Sequence, residues 1–231
     1  MAHELLSFDN GGALAASLAD RVAAALAAAV AARGKATLAV SGGSTPKAFF
    51  EALSQKPMDW SKVSVTLVDE RFVPEDNPRS NHLLVKTHLL KGKAAKAGFV
   101  PLFHPEADIE AAARVATRET ARLFPFDAVI LGMGTDGHTA SFFPGGNHLA
   151  EALDLSAPRR VMTMEAAGAG EPRLTFSFSA LADAGLLVLH IEGAEKKAVL
   201  EKALSGTDEA EMPIRAVLER APAKTDIYWA P

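Results

Sequence analysis

The chain has 231 residues, of which 48% are hydrophobic and 23% charged, with a formal net charge of -4 and no cysteine. That is the composition of a globular protein with a sizeable core, and the acidic balance offers nucleic acid no footprint, so any anionic ligand must be met by a local cluster of Arg and Lys. The lack of cysteine excludes disulfides and thiol catalysis and agrees with a reducing cytoplasm, the expected location. Residues 12–32, rich in alanine, read as a long covering helix. Its strongly apolar part, 22–32, is shorter than the ~20 residues a membrane span needs, and Asp20 and Arg21 interrupt any likeness to a signal peptide. No membrane partner is expected.

Residues 38–47, LAVSGGSTPK, form a short apolar strand, then Gly42 and Gly43, then Ser44, Thr45 and Pro46 opening a helix. Pro46 suits the first helical turn and Ser44 or Thr45 suits the cap. Unpaired N–H groups and the positive end of the helix dipole make such a turn a phosphate site. The spacing is not that of a nucleotide-triphosphate loop. Residues 63–81, VSVTLVDERFVPEDNPRSN, are a second buried strand running into Asp69, Glu70 and Arg71 and a proline-bearing loop. Arg71 and Arg79 each have the fork of donors that clamps phosphate, sugar hydroxyls or an oxyanion, and each would serve equally as a surface ion pair. Asp69, nearest the strand, is the better functional candidate; Glu70 reads as structural or solvated.

The most informative stretch is 126–146, FDAVILGMGTDGHTASFFPGG. An apolar strand of the doubly buried kind empties into Gly132, Gly134 and Gly137 and presents Asp136 and His138 together at the strand's carboxyl end. Histidine there can take and return a proton near neutral pH, although a loop histidine bonded to backbone carbonyls would read the same in isolation. Gly132 to Gly137 also spell the dinucleotide fingerprint, but Pro144, Gly145 and Gly146 follow where a long helix should open, and Glu151 and Asp154 lie in no strand-like context. No nicotinamide or other cofactor is expected. Nor is a metal: no H-E-x-x-H pair occurs, His82 and His88 lack the four-residue step, and His3, His104, His148 and His190 read as surface or packing residues.

Candidate strands at 37–40, 63–68, 127–131, 161–164, 174–178, 186–191 and 226–229 alternate with helices near 46–53, 81–90, 109–123, 194–204 and 214–219. This order predicts one α/β domain over 1–231, Rossmann-like, with a mainly parallel sheet, helices on both faces and a small antiparallel or edge-strand element. Leu174, Phe176 and Phe178 alternate with Thr175, Ser177 and Ser179, which suggests a strand with a polar face or near an edge. The Gly- and Ala-rich segment 165–172 is the expected flexible loop, leading straight to Arg173.

SGGSTP, VDERFVP followed by Ser80 and Asn81, GMGTDGHTASFFPG, Arg173 in RLTFSFSAL, and the G-x-x-K of Gly193 to Lys196 together resemble the 6-phosphogluconolactonases over nearly the whole chain. The wider superfamily includes glucosamine-6-phosphate deaminases. Their histidine loop carries a glutamate where Phe143 stands here, and they tend to have tyrosine at the position of Arg71. An apolar ring supplies neither the acid nor the base that isomerisation requires. The resemblance therefore implies hydrolysis of 6-phospho-D-glucono-1,5-lactone, without metal; deamination and non-catalytic sugar-phosphate sensing are the alternatives, and a monomer or homodimer is expected. By the same resemblance the phosphate rests on Gly42, Gly43, Ser44 and Thr45 with Arg173 and Lys196, while Arg79, Asn81 and Gly134 complete the binding set. From these residues the expected mechanism has His138 activating a water, Asp136 or Asp69 orienting the imidazole, and Arg71 or glycine-loop N–H groups stabilising the oxyanion.

Overall fold

A computed structural model describes residues 3–231. The strands are β1 (His3–Ser7), β2 (Ala36–Val40), β3 (Val63–Leu67), β4 (Asp69–Arg71), β5 (Gly98–Phe99), β6 (Ala128–Leu131), β7 (Val161–Met164), β8 (Arg173–Phe176), β9 (Leu187–Glu192) and β10 (Thr225–Ala230). The helices are α1 (Gly11–Arg33), α2 (Lys47–Ser54), α3 (Asn81–His88), α4 (Ile109–Thr120), α5 (Leu149–Ala152), α6 (Phe178–Leu181), α7 (Ala194–Leu204) and α8 (Ile214–Arg220). Seven strands pair in parallel in the order β1-β10-β9-β6-β2-β3-β5, and β4, β8 and β7 form a separate antiparallel sheet.

Local chemistry explains the longest element. Alanine has the best helix propensity, Asn10 Oδ1 accepts from the Ala13 N–H at 2.9 Å, and Gly34, at φ 72, ends the helix with its N–H on Val30 O. α1 is long and apolar enough to cross a membrane, more so than the shorter apolar stretch read from sequence. It is instead a core helix: Leu14, Leu18, Val22 and Leu26 are wholly buried. Each such leucine is worth about 2–5 kcal/mol against alanine. Every residue of β2 and β6 is buried, so both faces of the sheet centre are covered.

The run predicted as one strand from 63 to 68 and onward into Asp69–Arg71 is divided. The Val68 N–H donates to Val40 O of β2, while Val68 O accepts from Phe176 N of β8, so the chain passes at this residue from the parallel sheet to the antiparallel one. A second expectation needs correction: β8 is the central strand of its sheet and all four of its residues are buried. Its polar positions face protein, as when Thr175 Oγ1 accepts from Ser141 N.

β2 leads to β3 on one side, whereas its other neighbour, β6, belongs to the half of the sheet that continues to β9, β10 and β1. The order reverses between β2 and β6, and a crevice outside the carboxyl ends of the strands opens where their loops diverge.

Candidate active site

The loop after β2 and the loop after β6 face that crevice together. A cavity of about 280 Å³ is lined by Gly42, Gly43, Ser44 and Thr45 from the first, and by Gly134 and His138 from the second. Asp69, Arg71 and Arg173 enter from the small sheet, Asn81 from the start of α3 and Lys196 from the first turn of α7. Of the residues expected from sequence, Asp136 and Arg79 are not part of this lining.

His138 Nδ1 stands 2.6 Å from Asp136 Oδ1, which also accepts the His138 backbone N–H at 3.1 Å. Partial burial works to raise the Asp136 carboxyl, but the hydrogen bond and charge of His138 outweigh it and hold the group below the usual carboxylate value. A carboxylate can only accept, so Nδ1 is the donor in this contact. The Gly134 N–H donates to His138 O at 2.8 Å, closing the turn. Gly137 takes φ 78, a left-handed conformation suited to glycine, and its carbonyl accepts from Ile214 N. Ala140 holds φ 48 without being glycine, a strained backbone within the cavity wall.

The bonds of Asp69 run elsewhere than to the imidazole. Its Oδ2 accepts from Ser141 Oγ at 2.6 Å and lies 3.7 Å from Arg173 Nη1, with all three residues buried. Arg173 also donates to Ala169 O at 2.6 Å, and burial pulls its guanidinium below the usual range against the charge of Asp69. Opposite it in the β4–β8 register stands Arg71, whose Nη1 donates to Arg79 O. The Arg79 side chain forms the surface ion pair that sequence left open, Nε to Glu171 Oε1 at 2.7 Å, across the loop predicted to be flexible. Lys196 is pulled below the usual lysine value by burial, which outweighs Glu195 and Asp136.

The phosphate-type loop differs from expectation at its helix. Pro46 itself occupies the cap of α2 and no side chain caps the first turn, so neither Ser44 nor Thr45 serves there. Glu70 is structural and fully buried: its carboxylate accepts from the N–H groups of Arg71, Asn81 and His82 and from Ser80 Oγ, all at 2.8–3.0 Å. Burial raises its carboxyl despite those four donors. It thereby fixes Arg71 and Asn81, and Asn81 Nδ2 in turn donates to Asp69 O. A Cβ on Gly42 would meet the Asn81 amide, Nδ2 at 2.7 Å and Oδ1 closer still.

Sequence reasoning missed Ser41, Gly168 and His190 as wall residues. His190 is buried, as a packing residue should be, with Nε2 2.9 Å from Glu192 Oε1 and its ring edge-on to Phe49. Its place near the carboxyl end of β9, facing the crevice, was the available signal. Among the described residues no group of three or more His, Asp or Glu side chains is arranged to hold a metal ion.

A family model for glucosamine-6-phosphate isomerases/6-phosphogluconolactonase matches residues 9–229. The chain is 65% identical over 225 residues to a 6-phosphogluconolactonase of Rhizobium meliloti, covering 97% of each, and 50% identical over 226 residues to one of Mesorhizobium japonicum, covering 97% of this chain and 94% of the relative. It is similar to the crystal structure of a 6-phosphogluconolactonase from Shewanella baltica, with a TM-score of 0.95, 42% identity, and 99% and 98% of the two chains covered.

Proposed function

The chain belongs to the glucosamine-6-phosphate isomerase/6-phosphogluconolactonase family, and from that premise we infer that it is a 6-phosphogluconolactonase, a hydrolase of the pentose phosphate pathway, in which His138 activates the attacking water. The observation that carries the mechanism is the 2.6 Å contact between His138 Nδ1 and Asp136, at the rim of a cavity that also holds the glycine loop, Arg173 and Lys196.

The phosphate of 6-phospho-D-glucono-1,5-lactone rests on Gly42, Gly43, Ser44 and Thr45, with Arg173 and Lys196 balancing its charge. Anchoring this remote group turns binding energy into orientation at the reacting carbon. His138 Nε2 takes a proton from water as the water oxygen bonds to C1, and the carbonyl electrons move onto oxygen. Arg71 or the N–H groups of the glycine loops meet that oxyanion. The bond from C1 to the ring oxygen then breaks, and the imidazolium returns its proton to the leaving oxygen. Phe143, packed against the imidazole, provides no second acid or base, which disfavours aldose–ketose isomerisation.

The test is acid release from freshly made lactone, corrected for spontaneous opening, beside glucosamine 6-phosphate. His138→Ala should lower kcat by roughly 10²- to 10⁴-fold with KM little changed, whereas Arg173→Ala should mainly raise KM. Full activity of His138→Ala would falsify the assigned base. Ammonia release from the amino sugar would point to the deaminase, and binding without turnover of either compound to a sensor.

A further inference from the structure

The mechanism above gives the imidazole a positive charge as it takes the proton of water, and among the described residues the aromatic ring of the cavity wall packed against it is that of Phe143. Phe143 is 2% exposed, and its ring centroid lies 4.3 Å from that of His138 with the planes inclined by 33°. The guanidinium of Arg173 lies over the same ring at 5.3 Å. The ring is held from both sides in sequence, because the Phe143 N–H donates to Ser141 O and Phe143 O accepts from Gly146 N.

An aromatic face is the negative side of a quadrupole and attracts a cation within about 6 Å of its centroid. Toward neutral imidazole the attraction is that of ordinary packing. Toward imidazolium it gains an electrostatic part, so the ring favours the state in which the water proton has already moved to Nε2. Arg173 is charged in both states and faces Asp69 at 3.7 Å, so its own attraction to the ring cancels from the difference. We propose that Phe143 is a positioning residue for the lactonase reaction, its ring face stabilising the His138 imidazolium that forms as water attacks.

This rests on His138 being the base. An interaction stronger in the transition state than in the ground state appears in kcat, whereas an apolar spacer would act through folding or KM. The discriminating experiment replaces Phe143 site-specifically with 4-fluoro-, 3,5-difluoro- and 3,4,5-trifluorophenylalanine, which drain the ring face stepwise at nearly constant shape. The expected result is a stepwise fall in kcat, reaching about 2- to 30-fold for the trifluoro ring, with KM and thermal midpoint nearly unchanged. Weakening of the Arg173 contact would register in KM instead. A kcat that is flat across the series, or a change confined to KM, overturns the assignment of Phe143. The same series in His138→Gln should leave the residual rate untouched by fluorine. If His138→Gln alone keeps the full rate, the base assignment falls and this inference with it; if that variant is inactive and the fluorine series is flat, only the role of Phe143 is lost.

Discussion

At the residue scale the site depends on side chains that are absent as much as on those present. A Cβ built on Gly134 would overlap His138 Nδ1 and fall 2.5 Å from Asp136 Oδ1, so any larger residue must push the pair apart. Gly134 has no left-handed φ to protect, which confines the damage to the pair itself. Gly134→Ala should therefore fold with its thermal midpoint nearly intact yet lose on the order of 10²-fold in kcat, the penalty for displacing a catalytic group by about 1 Å; a fully active variant would show that the contact is dispensable. Arg173 shows the opposite coupling. Its removal leaves Asp69 buried without a counter-charge, so the expected rise in KM for Arg173→Ala should be accompanied by a lower midpoint in thermal melts. These residues also mark what the sequence could reveal. His138 and Asp136 are two positions apart on one glycine turn, and their pairing is a local geometric consequence. Asp69 and Asp136 looked equivalent as partners because the choice depends on where β4 lies relative to the loop after β6, a distance the chain order does not contain.

The elements follow the same division. Strand and helix positions set by local pattern were legible: α7 and β7 match the expected bounds, and most other expected elements differ by one or two residues at their ends. β4 was hidden because VSVTLVDER is one extended run, and only the bonds of Val68 to two different strands divide it. β8 was misread as edge-like because its threonine meets Ser141 across 34 residues of sequence, leaving no alternation against solvent. Glu70 illustrates how one buried carboxylate can supplement a local cap: Ser80 Oγ accepts from Leu83 N while Glu70 accepts from the Asn81 and His82 N–H groups, bringing β4 to the amino end of α3. At the α7–α8 corner, Arg215 bonds Ala203 O and Asp208 O, while Glu211 bridges Arg215 and Lys202. The hydrogen bonds to Lys202 and then Arg215 hold the Glu211 carboxyl down, from an ordinary 4.5 to about 2. Because the folded value is the lower one, this contribution to stability is complete above about pH 4.5 and disappears as pH falls toward 2. Glu211→Gln should be less stable than the parent at pH 6, with the difference closing over that window in denaturant titrations. A gap that persists at pH 2 would assign the effect to packing.

On the scale of the whole molecule, the cleft is shared between two sheets. The parallel sheet contributes the glycine loop and His138, the antiparallel sheet contributes Asp69, Arg71 and Arg173, and Val68 is bonded to both. Separate unfolding of the small sheet would expose the buried pair Asp69–Arg173 and the buried strand β8, leaving charged and polar groups of the remaining half without partners. The chain should accordingly melt as one cooperative unit, as the single domain predicted from its element order would. A ligand that touches both sheets must then stabilise both together. With the product 6-phosphogluconate at about 100 times its Kd, linkage adds roughly 2.7 kcal/mol and should raise the midpoint by about 5–10 °C, with calorimetric and van't Hoff enthalpies still equal. Were the ligand to split the melt into two transitions, raising only one, the two sheets would be separate folding units and the cleft would be an interface between domains.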